Sequence, residues 1–390
     1  MNYFKRDIEK EALELAAEYP VLTITGPRQS GKTTLARHIF KDLPYFSFEN
    51  PDLRSLVIND PRKFLSQLTR GAILDEIQNV PDVISYLQEI VDNKNNKALF
   101  VITGSNHFAV MQKVTQSLAG RTGILKLLPF NLIEIGKDNL LSTNEMLVKG
   151  FYPAVYKSKL SAPKIYRNYY ETYLQKDVRQ LIQIKDLNIF DKFIRICAGR
   201  TGSLLNTANI ANETGLSIPT IKSWLSVLQA SYIIMLLPPF YENIKKRMIK
   251  SPKLYFYDVG LASYLLGIDD KDQMSRDPLR GALFENMVVM EIVKYRYNSG
   301  LDHNLSFFRD SHHNEADIVF RHGRSLIPVE IKSSQTFNTD FMKGLDYFKS
   351  LFSDRVKNDL LIYDGSIEQT GSRSILNYRT FAENIAGYMQ

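Results

Sequence analysis

The sequence predicts an α/β protein: a parallel-sheet nucleotide-binding domain, a helical connector carrying a helix-turn-helix, and a second α/β domain at the C-terminal end. Three observations lead there. Gly26–Thr33 reads GPRQSGKT, preceded by the β-rich apolar run Val21–Thr25 and followed by Leu35, Ala36, Ile39 and Phe40 at helical spacing. Short apolar runs then alternate with helical stretches, the pattern of a parallel sheet covered on both faces. Near the other end, Glu315–Phe320 and Leu326–Lys332 read as a β-hairpin bearing carboxylates and a lysine.

The first stretch fits GxxxxGK[ST] at every required position. Glycines at 26 and 31 let the backbone wrap around a β-phosphate, with N–H groups and the positive end of the following helix facing the charge. Gly26, Pro27, Arg28, Gln29, Ser30 and Gly31 form the cradle. Lys32 reaches the β- and γ-phosphates, Thr33 offers its hydroxyl to Mg²⁺, and Thr34 meets the α-phosphate through its backbone. The expected ligand is ATP with Mg²⁺.

Composition frames the remaining elements. The 390 residues suffice for two or three domains, and 44% hydrophobic with 23% charged residues is ordinary for a globular chain. A net charge of +7 and a pI near 9.1 suit an anionic partner. Cys197 is the single cysteine, which excludes an internal disulfide, argues against a cysteine-based zinc site and fits a reducing compartment. The N-terminus reads as a charged helix and not as a signal peptide. The longest apolar run, Tyr232–Phe240, contains Pro238 and Pro239 and falls short of the ~18 residues a membrane span needs. A cytoplasmic protein without membrane contact is expected.

Along the chain, Tyr45–Phe48 reads as the second strand, and Asn50-Pro51-Asp52 opens a polar connection into helices carrying Leu53, Leu56, Val57, Phe64, Leu65 and Leu68. Gly71–Glu76 forms the third strand and ends in two carboxylates. Asp75 there organises magnesium, and Glu76 polarises the attacking water. Ala98–Ser105 is a buried fourth strand whose small polar end, Ser105 and Asn106, is placed to sense the γ-phosphate. Leu118–Thr122 precedes a fifth strand, Ile124–Leu128, and offers Arg121 to an ATP site of its own chain or of a neighbouring subunit. The second alternative implies a homo-oligomer.

GPRQSGKTTL, FENPDLRSL with DPRKFL, AILDEIQ, TGSN and LAGR resemble the AAA-family ATPases that are paired with a C-terminal domain of the DUF4143 type. YLQKDVRQL and KSPKLYFYDVGL match the same pairing, so the resemblance covers nearly the whole chain. It implies ATP binding and hydrolysis, with Lys32, Thr33, Asp75 and Glu76 in the usual roles, and leaves the biological task open. The expected domains are an ATPase domain at 1–160, a helical lid or connector at 161–200, a winged-helix module at 201–257 and a nuclease-like domain at 258–390.

The connector is helical and rich in Tyr166, Tyr169, Tyr170 and Tyr173, expected to pack and not to stack on bases. Gly199–Gly202 reads as a hinge. Beyond it, Thr207–Thr214 forms one helix, Gly215 stops it and Ser217 caps the next. Ile221, Trp224, Leu225 and Leu228 make a buried stripe, leaving Thr220, Lys222, Ser223 and Ser226 exposed. The strand Tyr232–Leu237 and the basic run Asn243–Lys250 complete a winged helix whose second helix enters a DNA groove. The same pattern fits a packing or partner-binding unit, since the exposed face lacks the usual base readers.

In the C-terminal hairpin Glu330 and Lys332 share one strand face, and Asp317 lies across from them. Two carboxylates and a lysine at this spacing resemble the D…ExK core of restriction-endonuclease-like nucleases. That resemblance implies a metal held by Asp317 and Glu330, joined by the helical carboxylate Glu285, with Lys332 activating water. The live site is the first reading, because Glu330 and Lys332 are both intact, and an inherited nuclease fold that no longer cuts is its rival. Three functions follow: an ATP-driven DNA-processing enzyme, a switch ATPase whose C-terminal half binds DNA or protein without cutting, and a solute or signalling ATPase with no nucleic-acid role.

Overall fold

A computed structural model describes residues 3–93, 98–104, 113, 114, 116–136, 139, 141–178, 186–242 and 250–389. The chain divides into two compact units. One comprises Met1–Phe130 with Ala230–Tyr232 and Tyr297–Leu301, and the other Asn131–Gln229 with Ile233–Arg296 and Asp302–Gln390.

In the first unit the elements run α1 (Glu9–Glu18), β1 (Val21–Thr25), α2 (Lys32–Ile39), β2 (Tyr45–Ser47), α3 (Pro51–Asn59), α4 (Pro61–Ser66), β3 (Gly71–Asp75), α5 (Val83–Val91), β4 (Leu99–Gly104) and β5 (Thr122–Lys126). The polar connection after β2 starts two helices by ordinary capping chemistry. The Asn50 side chain accepts from the N–H groups of Asp52 and Leu53, Asp60 accepts from Lys63, and prolines occupy the first helical positions. All strands pair in parallel, in the order β2-β3-β4-β1-β5. β5 starts two residues earlier than its apolar run, because Thr122 and Gly123 pair with Val21 and Leu22.

Alternation along the strands feeds two cores. Val21, Ala72, Leu74, Phe100 and Ile102 pack with Phe64, Leu65, Ile84 and Leu87, while Leu22, Ile24, Ile73, Val101 and Leu125 pack with Leu35 and Ala36. The central strands β1, β3 and β4 are covered on both faces, so along them it is the strand ends that offer an opening. Parallel pairing gathers the carboxyl ends of β1, β3 and β4 on one edge, where Gly26–Gly31 and Asp75 lie.

The second unit continues with α6 (Thr143–Lys149), α7 (Pro153–Lys157), α8 (Ala162–Tyr169) running into a π-helical segment Tyr170–Val178, α9 (Leu187–Ala198), α10 (Thr207–Thr214), α11 (Ile218–Ala230), β6 (Ile234–Leu237), β7 (Lys253–Phe256), α12 (Val259–Leu265), α13 (Lys271–Arg276) and α14 (Arg280–Asn298). Tyr166, Tyr169, Tyr170 and Tyr173 are buried, and the Tyr166 hydroxyl donates to Asp258 Oδ1 at 2.6 Å. Gly215 ends α10 in the left-handed region at φ 72°, and Ser217 Oγ accepts from Thr220 N at 3.2 Å. Ile221, Trp224, Leu225 and Leu228 are buried, with the Trp224 ring edge-on to Phe190 and Phe193. β6 and β7 pair antiparallel. The basic run expected to form a wing lies, at 243–249, outside the described residues.

Gly199–Gly202 departs from the expected hinge. Thr201 is fully buried, its hydroxyl donates to Asn286 Oδ1 at 2.9 Å, and Gly202 N donates to Leu254 O at 2.8 Å. Two glycines in four residues permit bending, but tertiary hydrogen bonds tie the segment down.

The chain closes with β8 (Leu305–Arg309), β9 (Glu315–His322), β10 (Ser325–Lys332), α15 (Lys343–Leu351), β11 (Asp359–Tyr363), β12 (Arg373–Asn377), α16 (Tyr378–Glu383) and α17 (Ala386–Met389). These strands form a mixed sheet, β12-β11-β10-β9-β8, parallel from β10 to β12 and antiparallel from β8 to β10. Among the described residues no helix is long and apolar enough to cross a membrane.

Candidate nucleotide site and carboxylate pocket

The loop after β1 is shaped by backbone demands that its glycines meet. Gly26 sits at φ 147°, and a Cβ there would come within 2.1 Å of the Leu127 carbonyl oxygen. Gln29 and Gly31 also have positive φ, 63° and 98°. Behind the loop, the buried Arg6 donates to Ser30 O at 3.0 Å and Leu128 O at 2.8 Å, with its guanidinium 4.8 Å from the Phe130 ring centre. Nothing in the sequence marks Arg6, one basic residue in a charged N-terminal segment, as the brace of this loop.

Lys32 opens α2 and is buried. Its ammonium donates to the carbonyls of Gly26 at 3.1 Å and Pro27 at 2.8 Å. Burial lowers its pKa to about 8 against the opposing pull of Glu76 and Asp75. Thr33 Oγ1 donates to Asp75 Oδ1 at 2.9 Å, and Tyr45 OH donates to Asp75 Oδ2 at 2.8 Å. The end of β4 contributes Thr103, whose hydroxyl also donates to Asp75. Burial, and then Asp75, raises the Tyr45 hydroxyl to about 12. Tyr45 and Thr103 are further neighbours of this carboxylate that the motif does not name.

Glu76 follows β3 in a left-handed conformation, φ 57°, and accepts a hydrogen bond from the Gln78 side chain. Thr34 and Gln29 are exposed and Arg28 is half-buried. A hydroxyl and a carboxylate already joined beside a loop of backbone donors are the hard-oxygen set that a nucleotide-bound magnesium ion takes, so these residues fit that group. Ser105 and Asn106 lie outside the described residues.

Arg121 is not brought to this loop within its own chain. Val21 N donates to Arg121 O at 3.2 Å, which sets Arg121 at the amino edge of β1, whereas the loop leaves the carboxyl edge. β5 runs parallel to β1, so a residue preceding β5 must lie at the far end. Its guanidinium is held by both carboxylate oxygens of Asp92, one at 2.9 Å.

In the second unit, α14 supplies Glu285, β9 supplies Glu315 and Asp317, and β10 supplies Glu330 and Lys332. The structure does bring Glu285, Asp317, Glu330 and Lys332 together. At their centre is a residue that sequence reading missed: Lys253, the first residue of β7 and only 2% exposed. Its Nζ is 3.0 Å from Glu285 Oε1 and 3.4 Å from Asp317 Oδ1, and it also binds Glu315. Tyr255, two residues on and on the same strand face, donates to Glu285.

Lys332 Nζ pairs with Glu330 Oε1 and lies 3.9 Å from Asp317 Oδ2, which accepts from Ile331 N at 2.9 Å. Burial raises Glu285 to about 7 and Glu330 to about 8, despite the lysines beside them. Lys253, despite its burial, is raised well above the ordinary lysine value by the surrounding acids. The expectation of a divalent ion on Glu285, Asp317 and Glu330 departs from this arrangement. An ammonium occupies the space between Glu285 and Asp317, and among the described residues no group of three or more His, Cys, Asp or Glu is spaced to hold a metal ion. Lys253 escaped notice because it follows Lys245, Lys246 and Lys250 in a lysine-rich stretch. Its one distinguishing signal is its position at the head of the apolar run Leu254-Tyr255-Phe256.

Comparison with known proteins finds three matched stretches. Residues 18–136 match the AAA domain family, residues 140–272 the domain of unknown function DUF8612, and residues 280–381 the domain of unknown function DUF4143. Uncharacterized proteins of Mycobacterium tuberculosis and Mycobacterium bovis are each 30% identical over 292 residues, covering 74% of this chain and 65% of the relative. The chain thus spans just under two thirds of the length of these curated relatives. A solved Walker-type ATPase of Pyrococcus abyssi is similar at 15% identity and a TM-score of 0.43, over 67% of this chain and 96% of that one. The chain carries an AAA domain with the P-loop ATPase fold, followed by a C-terminal domain of the DUF4143 type.

Proposed function

We propose that the chain binds and hydrolyses ATP at the loop of the first unit, and that nucleotide state governs how the second unit engages DNA. The observation that carries the ATPase reading is the hydrogen bond from Thr33 to Asp75, which joins the phosphate loop to the acidic end of β3. In this reading the N–H groups of Gly26–Gly31 bind phosphate oxygens, and Lys32 leaves its two carbonyl partners to meet the β- and γ-phosphates. Thr33 and Asp75 would hold magnesium, which when bound supplies neutralisation of phosphate charge. Glu76 orients water, and Arg121 serves the site of a neighbouring copy.

The DNA reading is supported by the net charge of +7 and by α11, which keeps Lys222, Ser223 and Ser226 exposed while its other face is buried. It has two forms, with and without magnesium-dependent cutting. The ammonium of Lys253 between Glu285 and Asp317 favours the form without cutting.

The test is an assay of the purified full chain for ATP turnover, with binding and cleavage followed on duplex, forked and four-way DNA. ATP turnover, DNA affinity that falls with salt, and intact DNA are expected. Absence of turnover with and without DNA would remove the ATPase reading, and salt-independent or absent DNA binding would remove the DNA reading. Magnesium-dependent cutting would decide for the nuclease form.

A further inference from the structure

We infer that Lys253 is the resident cation of the carboxylate pocket in the second unit, taking up the Glu285 and Asp317 carboxylates that would otherwise hold a divalent ion and so closing the pocket to metal. The inference rests on the non-cutting reading of that unit and deepens it, by naming what replaces the metal.

A lysine ammonium has three N–H donors, and here three carboxylates take them: Glu285 from α14, and Glu315 and Asp317 from β9. Its side chain is 3% exposed, so no water shell shares the charge. The pocket was built for more cation than Lys332 supplies. Four carboxylates, Glu285, Glu315, Asp317 and Glu330, face Lys253, Lys332 and Arg309, which binds Glu315 Oε2 at 3.1 Å. Glu330, 8% exposed, keeps Oε2 buried with no hydrogen-bond partner among the described residues. A divalent ion needs oxygens at ~2.0–2.6 Å, and the ammonium 3.0 Å from Glu285 Oε1 and 3.4 Å from Asp317 Oδ1 already takes up the negative charge such an ion would use and repels a second cation beside it. Ammonium and metal therefore compete for one space. Lys253 and Tyr255 both fasten β7 to α14 through Glu285, and Lys253 also ties it to β9 of the C-terminal sheet through Glu315 and Asp317.

The experiment counts Mn²⁺ bound to the nucleotide-free full chain by electron paramagnetic resonance, in the wild type, Glu330→Gln, Lys253→Met and the double variant Lys253→Met/Glu330→Gln. Wild type and Glu330→Gln are expected to bind equally, Lys253→Met to gain one Mn²⁺, and the double variant to lose it. Melting of Lys253→Met should rise with Mn²⁺ over EDTA, and that of the wild type should not move. A wild type that loses one Mn²⁺ on Glu330→Gln, or a folded Lys253→Met that gains none, overturns the inference. If Lys253→Met does not fold even with Mn²⁺, the wild-type and Glu330→Gln pair decides alone. Cleavage is scored separately: a cutting wild type sinks the non-cutting reading, whereas a wild type that binds Mn²⁺ through Glu330 without cutting sinks only this inference.

Discussion

Lys32 and Lys253 are both buried lysines within reach of acids, and they differ in what their ammonium protons meet. Lys32 donates to two neutral carbonyls of its own loop, and burial lowers it to about 8. Lys253 donates to three carboxylates from two other elements and is raised well above the usual lysine value by them. An ammonium on carbonyl dipoles in a buried loop keeps most of its attraction for an arriving anion. One saturated by carboxylates has none left, and its removal exposes the acids to each other. A lysine beside acids thus keeps attraction for an anion in the first unit and has it cancelled in the second.

The largest effect is expected at Lys32. We predict that Lys32→Ala reduces ATP turnover to background and affinity by about 100-fold, the worth of ~3 kcal/mol in a strong charge-assisted contact, measured by calorimetric titration. Unchanged affinity would show that this ammonium stays on its carbonyls when nucleotide arrives.

Glu76→Gln should keep nucleotide binding and slow hydrolysis by roughly 10²–10⁴-fold, the usual contribution of a positioned base. Wild-type turnover in this variant would remove Glu76 from the water-polarising role. Arg121→Ala should slow hydrolysis by ~10³-fold at concentrations where copies associate, with affinity intact. Because Arg121 lies at the sheet edge opposite its own loop, mixing Arg121→Ala with Glu76→Gln should restore part of the rate. A mixture that stays as slow as its components would exclude action between copies.

The smallest expected effect separates the hairpin's fold from its pocket. Asp310, after β8, accepts from the N–H groups of His312 and Asn314, from the Asn314 side chain and from Tyr347 OH at 2.6 Å. Desolvation raises its pKa, but these hydrogen bonds outweigh it and hold the carboxyl at about 2. Since the folded value lies below the unfolded one, the contribution is present above about pH 4 and is lost as pH falls toward 2. Asp310→Asn should therefore melt lower than wild type at neutral pH, with the difference shrinking below pH 4 and the ATPase rate unchanged. A difference that stays constant down to pH 2 would show that charge is not its cause.

The features legible in the residues alone are local. GPRQSGKT needs no partner from elsewhere in the chain to be read, because glycines at 26 and 31, a lysine and a hydroxyl act through adjacent backbone. The strands of the first sheet were legible for a related reason: side chains of the central strands β1, β3 and β4 enter two apolar cores, and short runs of Val, Ile, Leu and Phe record that burial. Asn50 and Asp60 with their following prolines marked two helix starts, and the Ile221-Trp224-Leu225-Leu228 stripe marked the buried face of α11. The rest depends on contacts between distant parts of the folded chain. Arg6 braces the phosphate loop from 24 positions away, Thr103 reaches Asp75 from a neighbouring strand, and strand order carries Arg121 to the wrong edge for its own site. Asp317, Glu330 and Lys332 are close enough in sequence to suggest a metal site, while Lys253, which fills it, lies 64 positions before Asp317. Coulomb forces act through space, so the acids that Lys253 meets cannot be read from its place in the order of the chain.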